Sequence, residues 1–426
     1  MRNSIQSEKK HSLQLPPFRL YQPKPTHPNW EELYPEAAKL AWEITQNIDL
    51  KKDPLAGTIF QKRKFLALIK TLKNLLINKR KMAKNDHNFI PLFYIWTMTN
   101  QCNFLCSYCS NHRGGKYPEL YRQGLTKNLT TARGMRLLEI MKESSAIYFC
   151  GGEPTLRKDL PELLNYSTNL NMFNMINTNG SLIGDLLLNP LYRKFLSQMD
   201  VIIVSLDALN ISEMSEMYKV NEILSRKVLR NILALKILQN FVHFKLVVNT
   251  VINSSNIEES FDILNWCNDL GICFSPVSAN IDHEPDYALL KNPRYQALVD
   301  KILERANQGY PMIASPRMLK RLLRATGILC HPKVFDHIDY DGRIFWPCKA
   351  YQKAVMINIF DYKNVKAMHK AAKKIIDATN FHGDGANQCH GHCAWMQNVV
   401  NDTYARALIQ GFFGSGIINE IRGLMG

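Results

Sequence analysis

At 426 residues and 46% hydrophobic content, the chain is long enough for one large domain with appendages or for two domains. Its formal net charge is +16, and residues 1–90, with 17 Lys or Arg against 8 Asp or Glu, carry more than half of it; an anionic partner and a solubilising surface fit that excess equally. No run approaches the roughly 18 charge-free apolar residues of a spanning helix. The start MRNSIQSEKKHSLQLPPF lacks an apolar leader, so the ten cysteines are expected in a reducing cytoplasm, as metal ligands more than disulfides.

In chain order, residues 1–30, with PPF and YQPKPTHPNW, read as extended chain. From Trp30 to Lys84 the pattern is helical. FLALIKTLKNLLINKRK (65–81) sets Leu66, Ile69, Leu72, Leu75 and Leu76 at helical spacing with lysines between. The common fate of such a helix is to pack its apolar face on its own domain; the alternative is peripheral contact with a membrane surface.

After residue 90 the spacing predicts strands in LFYIWTMT (92–99), AIYFC (146–150), NMINTNG (174–180), VIIVSLDA (201–208), FKLVVNTV (244–251) and GICFSPV (271–277). Helical runs near 131–143, 159–167, 182–198, 221–239 and 257–270 separate them. Repeated βα units imply an α/β fold with parallel pairing, and ligands then gather at the C-terminal strand ends. Beyond about 290 the alternation stops. A helix over 293–308, a hairpin in FDHIDYDGRIFWPC (335–348) with a DG turn and a basic helix over 365–378 predict a small second domain. The expected division is a basic, mostly helical extension (1–90), an α/β core (91–290) and a C-terminal domain (291–426).

Cys102, Cys106 and Cys109 in CNFLCSYC form CxxxCxxC. Thiolates are soft ligands that favour iron–sulfur or zinc. Three from one short loop can wrap a corner of a cubane and leave a fourth iron open, unlike the fully ligated ferredoxin run. A structural zinc site would need a fourth ligand, for which His112 is near in sequence. Cys330, Cys348, Cys389 and Cys393 suffice for a tetrahedral zinc site or a fully ligated iron–sulfur cluster, with His390 and His392 as substitutes, and spacing does not choose between them. Cys150, Cys267 and Cys273 sit on apolar elements and read as buried small hydrophobes.

CxxxCx-aromatic-C, followed in order by GGEPTL (151–156), NTNG (177–180) and VSLDA (204–208), resembles the radical S-adenosylmethionine superfamily over about residues 92–280. The resemblance implies a partial (β/α)6 barrel. It implies that Cys102, Cys106 and Cys109 hold a [4Fe–4S] cluster whose open iron site is chelated by S-adenosylmethionine. Gly151, Gly152 and Glu153 match the element that meets the methionine amino group. Asn179, Ser205, Asp207 and Asn253 fall to the cofactor pocket, Tyr108 lies near the adenine, and Ile272 to Pro276 offers backbone to it. Read without the resemblance, GGEP is a plain turn, Ser205 a strand hydroxyl, Asn253 a helix cap with Ser254 or Ser255 as rivals, and Tyr108 packing.

Cys330, Gly342 and Cys348 resemble the family's SPASM or shorter twitch extension, which binds auxiliary [4Fe–4S] clusters. Four late cysteines instead of about seven favour one auxiliary cluster. Five residues separate Gly342 from Cys348 where the family usually has four. The implied enzyme cleaves S-adenosylmethionine to a 5'-deoxyadenosyl radical that takes hydrogen from a peptide or small-molecule substrate. An auxiliary cluster would aid a net oxidation or rearrangement, and flavodoxin or ferredoxin would supply electrons. The basic stretches suit an anionic substrate; no RNA-binding module or aromatic–basic strand motif points to nucleic acid. Methyltransferase and epimerase are the alternatives within the class. An epimerase needs a thiol donor, so Cys267 or Cys273 would have to face the barrel interior. A catalytically inactive, metal-stabilised binding protein is the reading outside it, opposed by the intact GGEP and cysteines.

Overall fold

The computed structural model describes residues 30–48, 61–86, 88–106, 108–109, 127–281, 284–330, 333–348, 355–375 and 393–410. Two helices open it, α1 (Trp30–Thr45) and α2 (Lys62–Ala83). Six strands follow where alternation predicts them: β1 (Phe93–Thr97), β2 (Ala146–Cys150), β3 (Phe173–Thr178), β4 (Val201–Ser205), β5 (Lys245–Ile252) and β6 (Cys273–Ser278). The helices Thr131–Ile140, Leu160–Asn169, Glu222–Leu238 and Ile257–Leu270 stand between them as expected. Asn221 caps Glu222–Leu238 by accepting from the Leu224 amide, and left-handed Gly271 ends Ile257–Leu270. The helix expected over 182–198 is broken into Ile183–Leu188 and Phe195–Gln198, because Pro190 lacks a donor and holds Asn189 extended.

A short separate pair follows, β7 (Asn280–Ile281) and β8 (Glu284–Pro285), and then β9 (Phe335–Ile338), β10 (Arg343–Trp346) and β11 (Val355–Asn358), which join the first six in one sheet of order β11-β10-β9-β1-β2-β3-β4-β5-β6. β1 to β6 pair in parallel, and sequence neighbours are spatial neighbours, as in a winding βα core. β9 (Phe335–Ile338) adds to β1 in parallel, with Phe93 opposite Phe335 and Trp96 opposite Ile338. β10 (Arg343–Trp346) and β11 (Val355–Asn358) follow antiparallel. The predicted DG turn is present, with Gly342 at φ +88°. Among the described residues the two sheet edges are not bonded to each other. The fold is therefore a mixed α/β core with leading helices, and its C-terminal hairpin lengthens the main sheet.

Alternation sorts the two faces of the sheet. Tyr94, Trp96, Ile147, Phe149, Ile176, Ile202, Val204, Val248 and Phe274 point outward into the core shared with the helices. Ile95, Cys150, Phe335, Phe173, Val201, Ile203, Val247 and Cys273 line the inner face.

Helix α2 crosses the N-terminal ends of the strands and is seated by its polar side. Arg63 forms a two-pronged pair with Asp200, just before β4, and donates to the Met172 carbonyl, just before β3, at 2.8 Å. Lys70 reaches the carbonyls of Lys142, Ser144 and Leu170 at 3.0–3.2 Å, and Asn74 that of Glu143 at 2.7 Å. Asn78 exchanges bonds with the Ile90 backbone at 2.8 and 2.9 Å. Strand beginnings present carbonyls and a carboxylate that must find donors. The expectation that α2 packs its apolar face on its own domain is therefore met only in part: Leu75 is buried and Leu66 half-buried, but Ile69, Leu72 and Leu76 are exposed. Among the described residues no helix is long and apolar enough to cross a membrane.

Candidate functional site

The cysteine loop leaves the C-terminal end of β1 and is pinned from below. Buried Phe104 stacks on Tyr218 at 5.0 Å between ring centres, and the Leu105 amide donates to the Tyr218 carbonyl at 3.0 Å. Cys102, Cys106 and Cys109 are all half-buried and outside any disulfide. Burial, then the charge of Glu153, pushes the Cys102 thiol up to about 12. Burial first, then Cys109, Asp207 and Cys102, pushes Cys106 far above the usual thiol range. The thiols are thus close enough to oppose each other's ionisation.

The turn after β2 runs against the start of this loop. The Gly152 amide donates to Thr99 O and the Glu153 amide to Gln101 O, both at 2.7 Å. Gly151 has φ +145°, and a Cβ on Gly152 would lie 2.1 Å from the Gln101 carbonyl oxygen. Both glycines are thus required by approach of the chain to itself. Glu153 is fully buried. Its carboxylate accepts from the Thr155 amide at 3.0 Å, the Thr155 and Thr178 hydroxyls at 2.5 and 2.7 Å, and the Asn179 amide at 2.7 Å. Burial outweighs these donors and raises its pKa. The Asn179 side chain donates to Asn103 at 2.8 Å and accepts from the Ser181 amide and hydroxyl.

On the other side of the loop, the Tyr108 hydroxyl donates to Asp207, whose second oxygen accepts the Val251 amide at 2.6 Å. Burial raises the Asp207 carboxyl to about 6 against these donors. Asn253 makes a local turn, accepting from the Ser255 amide and hydroxyl at 2.9 and 2.6 Å; it is not the helix cap, since Asn256, and neither Asn253, Ser254 nor Ser255, holds the cap position of Ile257–Leu270. Ser205 ends β4 on the inner face, opposite Asn249 of β5, which is opposite Ser275 of β6. Ser275 donates to Asn249 at 3.0 Å. With Asn177 on β3 these residues form a neutral polar arc above the apolar inner face.

Sequence reasoning missed Asn103, Asn249, Ser275 and Asn256. Asn256 is buried and donates to the carbonyls of Asp207 and Val251 at 3.1 and 3.0 Å. A polar residue at the inward register of an otherwise apolar strand end was the available signal for Asn249 and Ser275; Asn103 and Asn256 carried none. Cys150, Cys267 and Cys273 are buried as expected.

Three of the later cysteines, Cys330, Cys348 and Cys393, lie beside β9 and β10. Cys330 and Cys348 line one small cavity with Lys333, Phe335, Asn398 and Asn401. The Asn398 amide lies 3.3 Å from both the Cys348 and Cys393 sulfurs. Asn401 bonds the Cys330 carbonyl at 3.2 Å and accepts the Val334 amide at 2.9 Å. Asp402 accepts the Leu329 amide at 2.7 Å. One helix, Met396–Gln410, thus carries two side chains to the Cys330 segment and a third to Cys348 and Cys393. Cys389, with His112, His390 and His392, lies outside the described residues.

Among the described residues no group of three or more His, Cys, Asp or Glu side chains is arranged to hold a metal ion as placed. The donor chemistry nonetheless fits an iron–sulfur cluster. Soft sulfur donors share one loop, and their mutual opposition to ionisation is what a bound cation relieves.

In parallel winding sheets ligands gather at the C-terminal strand ends, and the thiol loop of this α/β protein lies there. Residues 96–273 match the family model described as Radical SAM superfamily. Over this segment, less than half of its length, the chain is similar to the radical S-adenosylmethionine superfamily. It is 38% identical over 91 residues to Fe-coproporphyrin III synthase of Methanosarcina barkeri, covering 21% of each chain. It is 31% identical over 119 residues to the PqqA peptide cyclase of Xanthomonas oryzae pv. oryzae, covering 28% of this chain and 30% of that one. The chain thus spans less than a third of the length of these curated relatives. The fold is similar to that of Streptococcus suis SuiB, at 18% identity and TM-score 0.50, over 67% of this chain and 68% of SuiB. For SuiB bound to S-adenosylmethionine the TM-score is again 0.50 at 18% identity, over 70% and 71%.

Proposed function

We propose that the protein is a radical S-adenosylmethionine enzyme that takes hydrogen from a carbon of a peptide substrate, with a second iron–sulfur cluster at its later cysteines. The observation that carries this reading is the clamp on the cysteine loop: Gly152 and Glu153 bond it on one side, and Tyr108 ties it to Asp207 on the other. When bound, the first cluster supplies the electron that splits S-adenosylmethionine into methionine and a 5'-deoxyadenosyl radical. The chain's own part is to present Cys102, Cys106 and Cys109 as thiolates. Asn177, Ser205, Asn249 and Ser275 offer neutral hydrogen-bond partners to the sugar or methionine portion. Ile203, Val247 and Cys273 keep water from the inner face.

The peptide assignment is supported by the names of relatives, a peptide cyclase among them. In this reading the chain divides into a basic extension (1–90), a partial barrel (91–290) and a twitch-like section (291–426). Cys389 joins Cys330, Cys348 and Cys393 around the auxiliary cluster, and a flavodoxin or ferredoxin supplies electrons. An epimerase would have to use Cys273, on the inner face, since Cys267 packs outward among the helices.

Anaerobically reconstituted protein is expected to hold about eight irons per chain, falling to about four in the Cys102→Ala/Cys106→Ala/Cys109→Ala variant. Under dithionite the wild type is expected to release methionine and 5'-deoxyadenosine from S-adenosylmethionine, and the variant none. Zinc in place of iron, or no methionine release from iron-loaded wild type, overturns the reading.

A further inference from the structure

We propose that α2 is a docking surface for anionic lipid, on which the protein sits with its catalytic end turned away. The observation is an inverted helix. α2 buries Arg63, Lys64, Asn74 and Asn78 beside only two apolar residues, Ala67 and Leu75, and spends its polar groups on the strand beginnings. Its opposite side presents Phe65, Ile69, Leu72 and Leu76, each 41–51% exposed. At 100° per residue these four fall within about 60° of the helix circumference and run along about 16 Å of axis. A row of large apolar side chains turned to water on one rigid helix marks a partner.

Charge names the partner. Residues 62–84 contain nine Lys or Arg and no Asp or Glu. Of these, Lys73 and Arg80 flank the apolar row on one side and Lys79 on the other, all three exposed. Long cationic side chains at the borders of an aliphatic row can reach phosphate headgroups while the row enters the acyl boundary. Such lysines and arginines add attraction to an anionic leaflet. A nucleic acid would not require the aliphatic row.

The placement also fixes orientation. The residues that Arg63, Lys70, Asn74 and Asn78 of α2 hydrogen-bond all precede strands, whereas the cysteine loop, the Gly151–Glu153 turn and Asp207 all follow one. Lipid bound to the outer side of α2 therefore leaves the site at the opposite end open to soluble partners.

The test is co-sedimentation of the full chain with vesicles of phosphatidylcholine alone and of equimolar phosphatidylcholine and phosphatidylglycerol. Wild type is expected to pellet with the anionic vesicles, less so at high salt, and weakly with the neutral ones. Ile69→Asp/Leu72→Asp is expected to weaken that binding at least about tenfold. Leu191→Asp, at a leucine even more exposed but on the β3–β4 connection, serves as control and is expected to bind as wild type. Lys73→Gln/Lys79→Gln/Arg80→Gln, which leaves the apolar row intact, is expected to lose the preference for anionic vesicles. Wild type that pellets with neither vesicle overturns the proposal. So does a concentration-dependent dimer that Ile69→Asp/Leu72→Asp dissolves without any vesicle binding, which would assign the row to a second copy of the chain.

Discussion

Asp336 shows how one buried charge is kept. Its carboxylate lies 2.8 Å from the His369 ring and 3.4 Å from the Lys333 ammonium, with no exposure to water. Burial alone would raise its pKa from 3.8, but the charges of His369 and Lys333 outweigh burial and hold it at about 2. A carboxyl depressed in the folded state stabilises the fold above its unfolded pKa, and that contribution is lost as pH falls through the folded one. The shift corresponds to about 2–3 kcal/mol. Urea unfolding of wild type and Asp336→Asn is expected to differ most above pH 4 to 5, with the gap narrowing toward pH 3; a gap that widens on acidification would contradict this pairing. Glu153 and Asp207 were legible in the sequence as members of site motifs, but the direction of their carboxylates was not. Each turns into the protein to meet amides of Asn179 or Val251 that strand pairing delivers, and no local pattern encodes that delivery.

At the scale of elements, the turn after β2 and the loop after β1 behave as one piece. Because the missing Cβ of Gly152 is replaced by the Gln101 carbonyl, any side chain there must push the cysteine loop away from β2. Backbone is the neighbour, so no side-chain rotation relieves the clash. Gly152→Ala is expected to cost about 3 kcal/mol or more and to abolish iron binding at the first site while sparing the later one. Thermal unfolding with an iron count per chain checks this, and unchanged stability with full iron would show that the clamp is dispensable. The six strands and most helices between them were legible because period two and period 3.6 are local. The seat of α2 was not. Periodicity tells that a helix has an apolar side, but Arg63 finds Asp200 137 residues away, and that pair decides which side faces the protein.

At the scale of the molecule, the two cysteine groups hang on neighbouring strands of one sheet. β9 pairs with β1, the strand that feeds the first cysteine loop, and Phe335 stacks on Phe93 at 5.2 Å with the rings 8° from parallel. The DG turn made the hairpin legible, but its partner is more than 230 residues earlier in the chain, beyond any local signal. The sheet bonds and the stack hold β9 without help from sulfur, whereas Cys348 and Cys393 meet through Asn398 on the helix Met396–Gln410. Cys348→Ser/Cys393→Ser is therefore expected to loosen that helix and the β10–β11 edge and to leave β2 to β5 as they are. Amide hydrogen exchange should rise at least about tenfold in the former segments and stay level in the latter. About four irons should remain, held by Cys102, Cys106 and Cys109. If exchange rises across β1 to β6 and all iron is lost, the later site is a keystone of the core, and the sheet contact between β9 and β1 is too weak to separate the two.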